Sequence, residues 1–144
     1  MKNGFTLAEL LAALAVLGIV LAIAVPNYSE FAVRSRRTEA RVALVETMQQ
    51  QERYYTRHNS YAAFSADAPQ PPFRWWTGPS AARSAYEMVA APCQGLALSE
   101  CVELRAIPGS PNVDPLFVDA RCGALYLRSD GSRGAEGEGK ECWP

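Results

Sequence analysis

Residues 1–20 read MKNGFTLAELLAALAVLGIV, and this stretch places one carboxylate in apolar surroundings. Glu9 is the only charged residue from Phe5 to Val25, a run of 21 residues. As a helix this run is roughly 30 Å long, which is enough to cross a bilayer. An ionisable residue within such a segment is unfavourable and marks a functional position by default, so a partner for Glu9 has to be identified.

Three interpretations of this N-terminal segment compete. A secretory signal peptide would use Lys2 as its basic region and be cleaved after Ala24, but the apolar run exceeds the usual length of about 7–15 residues. A plain membrane anchor fits the length and leaves Glu9 unexplained. Cleavage after Gly4 would instead create an α-ammonium at Phe5, one helical turn before Glu9. In neighbouring chains shifted along the axis, the Glu9 of one then meets the Phe5 amine of another.

The segment KNGFTLAEL resembles the N-terminal signal of type IV prepilins, with a short basic leader, Gly4, Phe5, and Glu9 as the fifth mature residue. In that family a membrane-embedded prepilin peptidase cuts after the glycine and N-methylates the new first residue. The resemblance therefore implies cleavage between Gly4 and Phe5 and N-methylation of Phe5. It also implies that Glu9 sets the register of subunits during assembly.

One long helix is predicted from Phe5 to about Arg57, with a kink at Pro26 and a weaker point at Gly18. The stretches RSRRTEARVAL and QERYYTRHNSY resemble the helix of type IVa pilins, in particular minor pilins. That resemblance implies loss of helicity between Gly18 and Pro26 on assembly. The implied organisation is a leader (1–4), a transmembrane and assembly helix (5–26), an amphipathic second half (27–58) and a globular head (59–144).

The amphipathic half of the helix carries an apolar stripe and a cluster of arginines. The stripe has spacings of four and seven, typical of a helix docked on a sheet; it consists of Val33, Ala40, Leu44, Met48 and Tyr55. The arginines are interpreted as a solvated helix face, as contacts to acidic surfaces of neighbouring subunits, or as contacts to lipid headgroups; they are Arg34, Arg36, Arg37 and Arg41. A count of positive charges flanking the span would place the C-terminal part in the cytoplasm.

The head is predicted to be a small antiparallel sheet. Residues 62–84 lack periodicity and form an irregular loop, and Asn59-Ser60 ends the helix. Strands are predicted at 86–91, 101–107 and 122–128, and the alternation in CVELRAI is clean. Short connections favour an antiparallel meander packed on the helix, so the predicted fold class is α+β.

All four cysteines lie in the second half of the chain. An even number in a small, turn-rich region indicates disulfides and an oxidising compartment, in opposition to the charge count. Zinc is disfavoured by the spacing and by the lone His58. Four cysteines allow three pairings. CGALYLRSDGSRG followed by CW resembles the C-terminal segment of pilins, which implies the sequential pairing Cys93–Cys101 and Cys122–Cys142.

Other candidate chemistry in the head is limited. Arg74, Trp75 and Trp76 form a possible ligand patch, or one tryptophan fixes the loop to the core. The C-terminal acidic residues match no calcium-binding loop and are interpreted as solvated; they are Asp130, Glu136, Glu138 and Glu141. No phosphate-binding loop, nucleophile elbow or zinc-protease motif occurs. The sequence predicts no enzyme, no metal and no cofactor.

The resemblance implies a structural subunit, a minor pilin, for adhesion, twitching motility or DNA uptake. Its implied location is the bacterial inner membrane with the head in the periplasm, and then the pilus at the cell surface. Its implied partners are other pilins through their N-terminal helices, the prepilin peptidase and the inner-membrane assembly platform. Three alternatives stay open: a type II secretion pseudopilin, which usually lacks the C-terminal disulfide loop, a pilin specialised to bind nucleic acid or a surface, and a secreted soluble protein starting at Val25.

Overall fold

The computed structural model describes residues 6–143, except for the side chains of residues 23–27. Across these residues the chain forms one long helix, a short 3-10 helix (Ala81–Arg83) and one antiparallel sheet of four strands in sequence order. The elements are α1 (Leu7–His58), β1 (Tyr86–Pro92), β2 (Val102–Pro108), β3 (Leu125–Arg128) and β4 (Arg133–Ala135). The predicted α+β class, a long helix with an antiparallel meander, is confirmed.

Helix α1 ends at the predicted position. Asn59 adopts a left-handed conformation, with φ of 52°, and its N–H donates to the Tyr55 carbonyl over 2.8 Å. Such a residue is a common helix terminator because its short polar side chain tolerates this backbone conformation. The helix continues through Gly18 and Pro26. Loss of helicity between these two residues on assembly stays a prediction. The side chain of Pro26 lies outside the described residues.

The chain divides into two compact units, Met1–Arg34 and Ser35–Pro144. In the first unit, nine large apolar side chains from Leu7 to Leu21 are each more than half exposed. An isolated helix with this surface lacks a protein core to cover it. Within the described part of the chain, no helical stretch is long and apolar enough to be identified as a membrane span.

In the second unit, the buried face of α1 differs from the predicted stripe. Ala40 and Leu44 are fully buried, as predicted, and Met48 packs at the edge of the core. The rest of the buried face is polar, with Arg37, Thr47 and Gln51 at helical spacing from these two residues. Gln51 donates to the Ala62 carbonyl over 2.7 Å and accepts from the Ala62 N–H over 2.9 Å, so its amide fixes the start of the following loop.

The sheet buries one face against α1. Val102, Leu104 and Ala106 of β2 are buried and alternate with half-buried residues, as predicted from CVELRAI. The outer edge of β1 is covered by the loop that follows α1, through isolated bridges from Phe64 to Ala90 and from Trp76 to Glu87. Covering this edge removes unpaired backbone groups that would otherwise favour association with another strand.

Both disulfides join consecutive cysteines. Cys93 pairs with Cys101 across the connection from β1 to β2, with their Cα atoms 5.4 Å apart. Cys122 pairs with Cys142 over a sequence separation of 20, with their Cα atoms 5.5 Å apart. A loop of this length contributes about 3 kcal/mol in the chain-entropy description. In a unit with a small core, this is a large share of the free energy of unfolding.

Candidate functional site

The start of α1 is a capping box formed by Thr6 and Glu9. The Thr6 N–H and hydroxyl each donate to Glu9 Oε2 over 2.8 Å, and the Glu9 N–H donates to the Thr6 hydroxyl over 3.3 Å. This reciprocal pattern provides acceptors for backbone N–H groups at the helix start, which have no carbonyl partner within the helix. The sequence signal for this cap is Thr-x-x-Glu. Glu9 therefore has a role within its own chain that was not predicted above.

The capping box leaves part of the Glu9 carboxylate available. All its hydrogen bonds use Oε2, and among the described residues Oε1 accepts none. A carboxylate has about four acceptor positions, so a cap and a second donor are compatible. Gly4 and Phe5, where cleavage and N-methylation are predicted, lie outside the described residues. The register role of Glu9 stays a prediction.

Arg37 lies in the core, so the interpretations as a solvated face, a subunit contact or a lipid contact were all wrong for this residue. It is 3% exposed and binds Asp119 through two bonds of 2.7 Å, from Nε to Oδ2 and from the guanidinium to Oδ1. Asp119 also accepts from the Tyr86 hydroxyl over 2.6 Å and from the Cys122 N–H over 3.1 Å. We call Arg37, Tyr86 and Asp119 the buried ionic cluster.

Burial and hydrogen bonding within the buried ionic cluster shift the pKa values of Tyr86 and Asp119. Burial raises the pKa of Tyr86, and its hydrogen bond to the Asp119 carboxylate raises it further. Burial alone would raise the pKa of Asp119, but the hydrogen bonds from Arg37, Tyr86 and the Cys122 N–H together hold it below its ordinary value. The cluster therefore ties α1, β1 and the loop before β3 together as an ion pair with its acceptors satisfied.

The remaining arginines of the predicted cluster make contacts along the helix surface. Arg34 binds Glu30 over 2.8 Å, Arg36 binds Glu39 over 3.2 Å, and Arg41 donates to the Thr38 hydroxyl over 2.8 Å. Such exposed pairs contribute a few tenths of a kcal/mol. These three contacts fit the interpretation of a solvated helix face.

Arg74, Trp75 and Trp76 lie beside β1. The Met88 N–H donates to the Trp75 carbonyl over 2.7 Å, and the two indole rings meet edge to face at 5.0 Å. Both tryptophans are half-buried, Trp75 packs against the core, and Arg74 is exposed. Trp75 therefore fixes the loop to the core, which is one of the two interpretations given above for this segment. A ligand role for the three residues stays a prediction.

The acidic residues of the C-terminal loop have protein partners. Glu136 binds Arg105, Glu141 lies 3.8 Å from Arg121, and Asp130 accepts from the Ser132 N–H over 2.8 Å. Among the residues that the structure describes, no group of three or more His, Cys, Asp and Glu side chains is arranged to hold a metal ion.

A groove of about 520 Å³ lies between the last two turns of α1 and residues 71–73. Arg53 and Arg57 line it together with Tyr54, His58 and Phe73. We call it the helix-end groove. The groove was not predicted from the sequence, because only its helical residues share a local spacing and Phe73 comes from the loop.

The chain is similar in sequence to known families and proteins. The sequence model described as "Type IV minor pilin ComP, DNA uptake sequence receptor" matches residues 26–126, and "Prokaryotic N-terminal methylation motif" matches residues 1–25. The Type IV major pilin protein PilA of Myxococcus xanthus (strain DK1622) is 34% identical over 73 residues, which are 51% of this chain and 33% of PilA. The chain thus spans about a third of this relative's length. A solved type IV pilin from Shewanella oneidensis superposes with a TM-score of 0.48 at 24% identity, covering 78% of this chain and 98% of that pilin.

Proposed function

The chain belongs to the type IV minor pilin ComP family, and from that premise we propose that it is a minor subunit of a type IV pilus that binds DNA. The match over residues 26–126 to a family described as a DNA uptake sequence receptor carries this proposal. A pilin is a structural protein that assembles with other pilins. The Cys122–Cys142 disulfide supports the pilus over the secretion alternative, since pseudopilins usually lack this loop.

We further propose the maturation route that the methylation motif implies. The prepilin peptidase cuts after Gly4 and methylates Phe5. Before assembly, the chain is anchored in the inner membrane with its disulfide-bonded head in the periplasm. The apolar run from Phe5 to Val25 and the exposed apolar side chains from Leu7 to Leu21 support this route. The assembly platform then transfers the helix from lipid to the apolar interior of a filament.

Glu9 is proposed to set the register in that filament. Its Oε2 atom is used by the cap, and Oε1 is available to the Phe5 ammonium of a neighbouring subunit. A buried charge without a partner is unfavourable by several kcal/mol, so misregistered subunits are penalised. This arrangement lets one carboxylate begin its own helix and pair with another chain.

The natural N-terminus tests the maturation route. Protein taken from the cell envelope is expected to start at N-methyl-phenylalanine, at position Phe5, when its N-terminal peptide is analysed by mass spectrometry. The control is a Gly4→Val variant, which should retain Met1 because the peptidase no longer recognises the cut site. Wild-type protein that starts at Met1 or at Val25 would contradict the proposal.

The DNA proposal predicts binding that depends on salt. The net charge of −1 provides no general attraction to DNA, so binding must come from a local set of basic side chains. The logarithm of the affinity for duplex DNA should therefore fall against the logarithm of salt concentration, with a slope of about −0.9 for each phosphate contact. Fluorescence anisotropy of labelled duplex with the full-length protein in detergent measures this slope.

The control is an unlabelled competitor duplex whose sequence is unrelated to that of the labelled duplex. Its ability to displace the labelled duplex measures the part of the affinity that is independent of sequence. The proposed DNA role is wrong if the protein binds neither duplex nor single-stranded DNA at low salt.

A further inference from the structure

The helix-end groove has a positive lining. Its eight lining residues include Arg53, Arg57 and His58 and no carboxylate. Both arginines are exposed, and within the described residues neither forms an ion pair. The adjacent Glu52 accepts from the Tyr61 hydroxyl over 3.0 Å, outside the groove lining. Two guanidinium groups one helical turn apart are therefore available for an anion such as phosphate.

The same groove has an aromatic column anchored in the core. The His58 ring stacks on Tyr54 at 4.0 Å and 28°, and Tyr54 meets the edge of Phe73 at 5.7 Å. Phe73 in turn stacks on Phe64 at 5.4 Å, and these two rings are only 5% and 2% exposed. The outer rings are thus held in place by buried ones, which lowers the entropy lost when a ligand stacks on them.

Arginines beside preoriented aromatic faces match the chemistry of a nucleotide with a free base. Phosphate binds the guanidinium groups, and an unpaired base stacks on an aromatic ring without regard to its sequence. A base inside a duplex is already stacked on its neighbours and has no free face to offer. The groove therefore fits a single strand better than a duplex.

We propose that the helix-end groove binds single-stranded DNA, with phosphate at Arg53 and Arg57 and one unstacked base on the ring of His58. This inference rests on the proposed DNA-binding function and names the strand form and the side chains. Duplex binding elsewhere on the head does not require it.

The test uses full-length protein in detergent and a short fluorescein-labelled oligothymidylate. Arg53→Gln/Arg57→Gln is expected to weaken binding about tenfold or more at low salt and to reduce the salt slope by about 1.4, at about 0.7 per phosphate contact of a single strand. Arg83→Gln/Lys140→Gln is the matched control, because it removes the same charge from exposed positions outside the groove. This control is expected to bind within about twofold of wild type, because neither residue lines the groove.

Stacking is tested separately with His58→Ala. This variant is expected to bind oligothymidylate about fivefold or more weakly, and to bind an abasic strand of equal length as well as wild type does. Arg53→Lys/Arg57→Lys keeps both charges and should retain most of the affinity, which separates loss of charge from loss of folding.

The outcomes distinguish the two proposals. If Arg53→Gln/Arg57→Gln binds like wild type, or if wild type binds duplex but no single strand, the groove inference is overturned and the DNA role remains. If His58→Ala weakens the abasic strand equally, the stacked base is overturned. If wild type binds no DNA at all, both proposals fail.

Discussion

A chain carrying Glu9→Gln is expected to be cleaved and inserted into the membrane but to be nearly absent from filaments. Glutamine still fits the capping box, so the variant removes the charge and keeps the helix start. In the proposed assembly, the Phe5 ammonium of the neighbouring subunit then lacks a counter-ion, which costs about 3–5 kcal/mol. This corresponds to roughly a hundredfold or greater loss of incorporation. Mass spectrometry of filaments and membranes from cells that express both forms measures the ratio.

Thr6→Val is the matched control for this experiment. It removes the hydroxyl of the cap and keeps the charge of Glu9, so its effect is limited to a lost helix cap, about 0.5–2 kcal/mol. Glu9→Ala removes both cap and charge and should be incorporated no better than Glu9→Gln. If Glu9→Gln enters filaments like wild type and Glu9→Ala does not, the carboxylate serves only as a cap.

Arg37→Met is expected to lower the free energy of unfolding of the second unit by about 3–5 kcal/mol. The methionine fills much of the space but leaves the Asp119 carboxylate buried without its cation. Urea unfolding of the full-length protein in detergent, followed by tryptophan fluorescence, measures the change. Arg36→Met makes the same substitution one position earlier in an exposed pair, and it should change stability by about 0.5 kcal/mol or less.

The destabilisation caused by Arg37→Met is expected to depend on pH. The hydrogen bonds of the buried ionic cluster hold the pKa of Asp119 below its ordinary value. A carboxyl group whose folded pKa is depressed stabilises the protein above its unfolded pKa, and this is lost as the pH falls through the folded value. In Arg37→Met, burial instead raises the pKa of Asp119, so acid protonates the group and stabilises the variant.

The difference in stability between wild type and Arg37→Met should therefore shrink between about pH 7 and about pH 3. A difference that is equal at both pH values would show that Arg37 acts through packing and not through its charge.

The fold could largely be predicted because its signals are local. The apolar run, the terminator Asn59 and the alternation of β2 each lie within a few residues of one another. β4 was missed, because Arg133-Gly134-Ala135 is short and interrupted by glycine. The ring of Tyr126 on the paired strand lies over Gly134 and occupies the position that a Cβ would take.

The candidate sites depend on contacts that a local pattern cannot contain. Arg37 looks like its exposed neighbours in the sequence, and its partner Asp119 lies 82 positions away. The helix-end groove similarly needs Phe73, which belongs to no periodic segment. Thr6 and Glu9 are different, because the capping-box spacing Thr-x-x-Glu is local and can be read directly from the sequence.

If the head lies in the periplasm, as proposed, the two disulfides form only after it has been exported. Thiols remain reduced in the cytosol and are oxidised only beyond the inner membrane. A newly made chain therefore lacks the roughly 3 kcal/mol that closing the Cys122–Cys142 loop contributes, and it stays easier to unfold for translocation. Under the proposed topology, a cell deficient in periplasmic thiol oxidation would lose this subunit to proteolysis before any filament begins to grow.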